Sequence, residues 1–152
     1  MKIVDGDLFT APVDVIAHQC NTKSSNVHGF AKFAFQRHPE AHTKEYFNNH
    51  QSPILGDIDC FPVNNCSYKA LVNMYSQRYP GAPNPVNKDS KEFRLKWFRS
   101  CLDKISIMKI DSVGFPYMIG CVLGGGKWED YLKELEMFEA KFKRPVYLYK
   151  LQ

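Results

Sequence analysis

Short apolar strands alternate with amphipathic helices along most of this 152-residue chain. Runs of β-branched apolar residues at strand length and runs with apolar residues at helical spacing follow one another from end to end. Alternating elements of this kind form a largely parallel sheet with helices on both of its faces. The sequence therefore predicts an α/β fold, a three-layer α/β/α sandwich around a mostly parallel, mixed sheet. Strands are predicted over residues 2–4, 13–18, 56–63, 69–75, 112–115 and 145–151, and helices over 30–38, 40–49, from Asp89 or Ser90 to Met108, and over 128–142.

Prolines and apolar spacing add detail to this prediction. A proline cannot donate a hydrogen bond to a neighbouring strand, so Pro62 places the end of the strand 56–63 near an edge of the sheet. Residues 78–88 hold three prolines and a glycine, which predicts an irregular loop, either closing over a ligand or simply connecting two elements. In the third helix, three- and four-residue steps predict a buried face formed by Phe93, Trp97, Cys101, Ile105 and Met108.

Length and charge bound the class of protein. The chain is long enough for one domain over residues 1–152, and we expect a monomer. Twenty Lys and Arg residues against sixteen Asp and Glu residues give a net charge of +4. This mild excess favours anionic ligands, but the basic residues are scattered. Proteins that bind nucleic acid usually cluster them on one face, so nucleic acid is not an expected partner.

The cysteines and the N-terminus bear on the cellular compartment. Five cysteines are present and none forms a C-x-x-C pair, which argues against a disulfide framework and against a zinc site. Asp5 and Asp7 interrupt the apolar run that a signal peptide needs. No apolar stretch reaches membrane-spanning length. We therefore expect an intracellular protein of the cytoplasm or nucleus, with no metal, cofactor or membrane partner.

Polar residues lie at two predicted strand ends. Asp7 follows the first strand, where its carboxylate could accept a hydrogen bond from an exocyclic amine such as that of adenine. Asn21 follows the second strand, where its amide could pair with ribose hydroxyls. Each residue also has a purely structural interpretation. Asp7 could cap a turn, and Asn21 could tolerate a left-handed backbone.

Two glycine-bearing loops precede predicted helices. Gly29 comes before the first helix, and Gly120 with Gly124, Gly125 and Gly126 comes before the last. Amide groups at a helix N-terminus bind phosphate, and glycines allow a diphosphate to approach the main chain. A flexible loop is the alternative. Neither G-x-G-x-x-G nor G-x-x-x-x-G-K-[ST] is present, which argues against a standard dinucleotide fold or P-loop.

An ordered set of segments resembles the macro domain family over nearly the whole chain. The segments are GDL (6–8), DVIAHQCN (14–21), HGFAKFAFQRHPEA (28–41), GDIDCFPV (56–63), LVNMYSQ (71–77) and FPYMIGCVLGGGKW (115–128). They are most similar to the branch with ADP-ribose 1″-phosphate phosphatases and terminal ADP-ribose–glutamate hydrolases. The resemblance implies a ligand, ADP-ribose or a derivative of it, and ADP-ribosylated proteins as partners.

The resemblance also implies a role for individual residues. Asp7 would contact adenine with Leu8 beside it, and Asn21, His28, Gly29 and Phe30 would lie along the distal ribose and a phosphate. Ser76 and Gln77 would form the floor of the pocket. The second glycine loop would wrap the diphosphate and the distal ribose; its residues are Gly120, Cys121, Val122, Leu123, Gly124, Gly125 and Gly126.

Departures from the family pattern concern catalysis more than binding. The glutamate hydrolases carry an acidic residue where this chain has Gly124, and a catalytic lysine near Ser76 or Gln77. Relatives with phosphatase-like activity often carry an acidic residue where this chain has Lys127. The resemblance therefore does not imply a covalent lysine mechanism or a carboxylate base in the second loop.

His28 is the candidate catalytic residue. An imidazole exchanges protons near neutral pH, so His28 could orient a water molecule or protonate a leaving group at the distal ribose. Alternatively it only binds a ligand oxygen or faces solvent. His18 lies within a strand and is expected to be a hydrogen-bonded core residue. Cys121 could be activated by a helix N-terminus, but packing is the more common role of such a cysteine.

Three functions follow. The first is hydrolysis at the distal ribose, of ADP-ribose 1″-phosphate or of ADP-ribosylated groups. The second is a non-catalytic module that reads or sequesters ADP-ribose. The third is a binder of nucleic acid or poly(ADP-ribose), whose affinity would weaken steeply with salt.

Overall fold

The computed structural model describes residues 1–42 and 52–151. Its strands are β1 (Lys2–Asp5), β2 (Val15–Asn21), β3 (Ile58–Pro62), β4 (Ala70–Gln77), β5 (Val113–Pro116) and β6 (Val146–Lys150). Its α-helices are α1 (Gly29–Arg37), α2 (Lys91–Ser106) and α3 (Trp128–Phe142). Short 3-10 turns lie at Leu8–Thr10, Pro39–Ala41 and Pro85–Asn87.

The strands of the described residues form one sheet in the order β1-β6-β5-β2-β4-β3. Neighbouring strands run parallel except β3 and β4, which are antiparallel. β3 is an edge strand that ends at Pro62. Proline has no backbone N–H, and at this edge position no neighbouring strand needs that donor. The predicted mixed sheet and the edge position of its proline-bearing strand are confirmed.

Apolar side chains point to both faces of this sheet. On one face, Val15 and Ala17 of β2 lie in the same core as Phe98 of α2 and Leu135 of α3. On the other face, the intervening Ile16 packs with residues of α1 and of the 3-10 turns. A strand buried on both faces has apolar residues at successive positions, which explains the continuous apolar run of β2. The predicted three-layer α/β/α arrangement is confirmed.

The described helices agree with the sequence except on the buried face of α2. α3 has the predicted bounds, and Ser90 caps α2 by accepting a hydrogen bond from the Phe93 amide at 3.1 Å. The predicted apolar face of α2 is partly wrong, because Phe93 is 46% exposed whereas Arg94 is 1% exposed. The helix is rotated so that Phe98 faces the sheet and Arg94 faces buried carbonyl groups. The predicted helix 40–49 lies mostly outside the described residues.

The described part of the chain carries neither a membrane span nor a metal cluster. No helix in it is long and apolar enough to cross a bilayer. Within the same residues, no group of three or more His, Cys, Asp or Glu side chains could hold a metal ion. The five cysteines are free thiols.

Candidate functional site

A cavity of about 500 Å³ lies at the carboxyl ends of β2, β4 and β5. This is the edge of a parallel sheet at which α/β proteins bind ligands, and the volume falls in the usual range for small-molecule sites, about 300–1,000 Å³. Its wall consists of residues 18–21, 26–31, 80–81, 116–120 and 122–124, with single residues from neighbouring positions. Of the predicted site residues, the cavity brings together Asn21, His28, Gly29, Phe30, Gln77, Gly120, Val122, Leu123 and Gly124.

The N-terminus of α1 forms one side of the cavity. Gly29, Phe30 and Ala31 line it, and the first amides of a helix have no acceptor within that helix. His28 occupies the N-cap position, but its side chain makes no capping hydrogen bond, and the first turn has no acidic residue. The positive end of this helix is therefore free to interact with an anion in the cavity.

The second glycine loop forms the opposite side. The amides of Val122, Leu123 and Gly124 have no hydrogen-bond acceptor among the described residues. The Leu123 side chain extends to the first loop, because a Cβ added at Gly29 would lie 3.0 Å from Leu123 Cδ1. The two glycine loops thus meet across the cavity, each with unpaired amides.

Packing explains why glycines occur in this second loop. A Cβ at Gly120 or at Gly126 would lie 2.5 Å from the ring of Tyr131, a buried residue of α3. A Cβ at Gly124 would lie 2.6 Å from the carbonyl oxygen of Gly120. Gly120 and Gly126 therefore let the loop pack closely against α3, and Gly124 lets it pack closely against its own backbone. This packing gives the loop a defined shape.

The N-terminus of α3 differs from that of α1. Glu129 and Asp130 lie in its first turn, and their negative charge opposes anion binding there. Gly125 and Gly126 do not line the cavity, and neither does Cys121. Burial raises the pKa of the Cys121 thiol to about 11, so the thiol is protonated at neutral pH. The structure thus brings Gly120 to Gly124, without Cys121, to the cavity.

Asn21 and His28 present polar groups to the cavity. Asn21 Oδ1 accepts hydrogen bonds from the amides of Lys23 and Ser24, at 3.0 and 2.8 Å. This holds the loop in place and leaves Nδ2 without an acceptor among the described residues. His28 is exposed, and no described residue pairs with its ring. Both groups can therefore interact with a ligand.

Gln77 occupies the floor at the end of β4. Its Oε1 accepts a hydrogen bond from Gln19 Nε2 at 2.6 Å, and its Nε2 donates to the Tyr79 carbonyl at 2.8 Å. Both ends of the amide are held, so the side chain has a fixed orientation. The neighbouring Ser76 is fully buried and does not line the cavity. An amide is not a nucleophile, so Gln77 cannot take the part of a catalytic lysine at this position.

Among the described residues, the lining of the cavity contains no Asp, Glu, Lys or Arg side chain. It does contain His18, which is buried and whose Nε2 donates a hydrogen bond to Asn73 Oδ1 at 2.7 Å. Burial lowers the pKa of His18 from 6.5 to about 4, against the opposing effect of that hydrogen bond. His18 is therefore neutral at physiological pH, and no carboxylate repels an anionic ligand.

Asp7 and Leu8 lie outside the lining of the cavity. Asp7 caps the 3-10 turn by accepting a hydrogen bond from the Phe9 amide at 2.9 Å, and Leu8 is buried in the core. The Phe9 ring stacks on the Phe30 ring with centroids 4.8 Å apart and planes within 4°. This stack connects the turn that carries Asp7 to the wall of the cavity.

Sequence reasoning missed several lining residues, among them Gln19, Pro80, Gly81, Tyr117 and Met118. They lie at or just beyond the carboxyl ends of β2, β4 and β5. The general rule that ligands bind at this edge would have found them, had it been applied to every strand and not only to the glycine loops.

Residues 78–89 form part of the wall, held by Arg94. The Arg94 guanidinium makes a buried ion pair with Asp89, with Nη2 at 2.6 Å from Oδ2. Burial acts to raise the pKa of Asp89, but hydrogen bonds from Arg94 and from the amides of Arg78 and Tyr79 outweigh it and lower the pKa. Buried charges therefore hold this segment in place. It forms part of the cavity wall and does not merely connect β4 to α2.

Comparison with known proteins identifies the fold. Neither a protein-family model nor a curated protein matches the sequence. A protein of unknown function from Bacteroides thetaiotaomicron superposes with a TM-score of 0.77 at 24% identity, over 98% of this chain and 96% of that one. The macrodomain of Mycobacterium tuberculosis DarG gives 0.74 at 19%, over 98% and 95%. Thermosipho africanus DarTG, solved in complex with ADP-ribose, gives 0.70 at 18%, over 97% and 40%. The chain therefore has the macrodomain fold.

Proposed function

We propose that the cavity binds ADP-ribose or a close derivative. The observation that carries this proposal is that unpaired amides of the α1 N-terminus and of residues 122–124 line the same cavity, whose described residues include no carboxylate. Backbone amides at a helix start and in a glycine loop bind phosphate oxygens. A diphosphate bound between the two loops would meet amides of both. The Asn21 amide and the exposed His28 would supply polar partners for a sugar. The ADP-ribose complex of Thermosipho africanus DarTG, 40% of which superposes on this chain, supports this ligand.

Isothermal titration calorimetry with ADP-ribose, AMP and ADP tests this proposal. We expect saturable binding of ADP-ribose with a Kd of about micromolar or tighter, and weaker binding of AMP and ADP, which lack the distal ribose. Gly124→Ala should reduce the affinity, because its Cβ would meet the Gly120 carbonyl oxygen at 2.6 Å and displace the loop. Equal affinity for AMP and ADP-ribose, or full binding by Gly124→Ala, would contradict the assignment.

Hydrolysis at the distal ribose is the second candidate, and His28 is the observation that favours it. Its ring lines the cavity, is exposed and has no partner among the described residues. His28 would act as general base or acid, since the lining residues that the structure describes include no carboxylate. His18 is unsuited because burial keeps its pKa at about 4. Without such chemistry the protein would act as a reader that binds ADP-ribose groups.

The His28→Ala variant separates these two functions. Wild-type protein is incubated with ADP-ribose 1″-phosphate and with ADP-ribosylated protein, and the release of phosphate or ADP-ribose is measured. A hydrolase that uses His28 should lose about 100-fold or more in turnover while it keeps most of its affinity for ADP-ribose. No turnover by the wild type on either substrate, together with binding, would identify a reader.

A further inference from the structure

The buried Arg94 side chain connects the two cavity-lining segments that follow β4 and β5. Its Nη1 donates to the carbonyl oxygens of Gly81 at 2.7 Å and Gly124 at 3.0 Å. Its Nη2 donates to the carbonyl of Tyr79 at 3.0 Å. Gly81 and Gly124 both line the cavity, so one guanidinium group fixes the spacing between two parts of its wall.

Further contacts join the same two segments. Asp89, besides its bidentate pairing with Arg94, accepts hydrogen bonds from the Arg78 and Tyr79 amides at 2.9 and 3.0 Å. A Cβ added at Gly125 would lie 3.3 Å from Ala82 Cβ, so the second glycine loop packs directly on the segment 78–89. The Tyr79 carbonyl also accepts from Gln77 Nε2, which links the wall to the floor.

We propose that Arg94 is a positioning residue for the ligand site, which holds residues 79–82 and 120–126 as one rigid wall before the ligand arrives. This inference rests on the proposed function and adds to it a residue that touches no ligand. A guanidinium group offers donors in a fixed planar fork, which can serve a carboxylate and several carbonyls at once. A lysine ammonium at this position would retain the charge opposite Asp89. Its three donors lie on one atom, so it could not serve the Asp89 carboxylate and all three carbonyl groups at once. Loss of preorganisation weakens binding, because the ligand must then order the wall itself.

Arg94→Lys, with Ile105→Val as a matched control, tests the inference. Ile105 is fully buried on the same helix but does not line the cavity, so Ile105→Val lowers stability without touching the wall. In the unliganded protein we expect faster hydrogen exchange in Arg94→Lys at the hydrogen-bonded amides of Tyr79, Cys121 and Gly126. Exchange at these amides should be unchanged in Ile105→Val. The Kd for ADP-ribose should rise at least about tenfold in Arg94→Lys and stay within about twofold in Ile105→Val.

The outcomes separate this inference from the proposed function. If wild-type protein fails to bind ADP-ribose, the proposed function is wrong, and exchange in the unliganded variants still decides whether Arg94 orders the wall. Wild-type affinity in folded Arg94→Lys, or equal loss of affinity in Ile105→Val, overturns the inference. Should Arg94→Lys not fold, Asp89→Asn takes its place, since it removes the charge that orients Arg94. Unchanged exchange at the amides of Cys121 and Gly126, which Asp89 does not contact, would likewise overturn the inference in that variant.

Discussion

The imidazole of His18 illustrates how burial determines the chemistry of a side chain. The ring is 1% exposed, hydrogen-bonded to Asn73 and in contact with Phe30 and Phe35. The low pKa that burial gives it makes protonation expensive in the folded state. The sequence predicted a hydrogen-bonded core histidine, which the structure confirms. It did not predict that the same ring also lines the cavity.

Protein stability should therefore fall as His18 begins to be protonated in the unfolded chain. Between pH 6.5 and about 4 the unfolded state binds a proton at His18 that the folded state does not. The contribution is complete above pH 6.5 and is lost as the pH falls through this window, by about 3 kcal/mol at its lower end. Urea unfolding at several pH values measures it.

The His18→Gln variant is the control for this pH dependence. It removes the titrating ring and should flatten the dependence of the unfolding free energy on pH between 6.5 and 4. Some slope should remain, because burial also lowers the pKa of His38. An identical slope in His18→Gln and wild type would show that His18 does not couple protonation to folding.

The glycines of the second loop show what residue type alone can and cannot reveal. Three successive glycines predicted a loop shaped for a diphosphate, yet Gly125 and Gly126 do not line the cavity. The same pattern also arises from close packing. A Cβ would meet the Gly120 carbonyl oxygen at Gly124, Ala82 at Gly125 and the Tyr131 ring at Gly126. The glycine pattern alone therefore does not tell whether protein or ligand occupies the space that a side chain would fill.

At the scale of elements, apolar spacing predicted the helices and strands well because most of them bury continuous apolar faces. The prediction was wrong on α2, where the pattern assigned Phe93 to the buried face and left out Arg94, which is buried. An arginine is normally placed at the surface. Its burial depends on Asp89 and on carbonyl groups distant in sequence, which no local pattern contains.

The end of α3 provides a stability prediction. Lys143 follows the helix with φ of 57°, in the left-handed region, where a side chain is strained and glycine is favoured. Lys143→Gly should raise the free energy of unfolding by up to about 1 kcal/mol. The same replacement at the exposed helical residue Lys133 should lower it by about 1 kcal/mol. Urea denaturation of both variants checks this opposite pair of signs, and a loss of stability in Lys143→Gly contradicts it.

At the scale of the whole molecule, the site results from the topology of the sheet. β2, β4 and β5 are adjacent and parallel, so their carboxyl ends bring together segments that are far apart in sequence. The position of the site at this edge of the sheet could be predicted from the alternating strands and helices and from the polar residues at strand ends. The joining of two walls by Arg94 and the stacking of Phe9 on Phe30 could not, because both depend on tertiary contacts.

Amide NMR of labelled protein titrated with ADP-ribose tests the central claim most directly. The account predicts saturable shift changes at the amides of Gly29, Phe30 and residues 122–124, with little change over β1 and the carboxyl half of α2. Both glycine loops should respond with the same Kd, since one diphosphate lies between them. Changes confined to another surface, or no saturable change at either loop, would contradict the account.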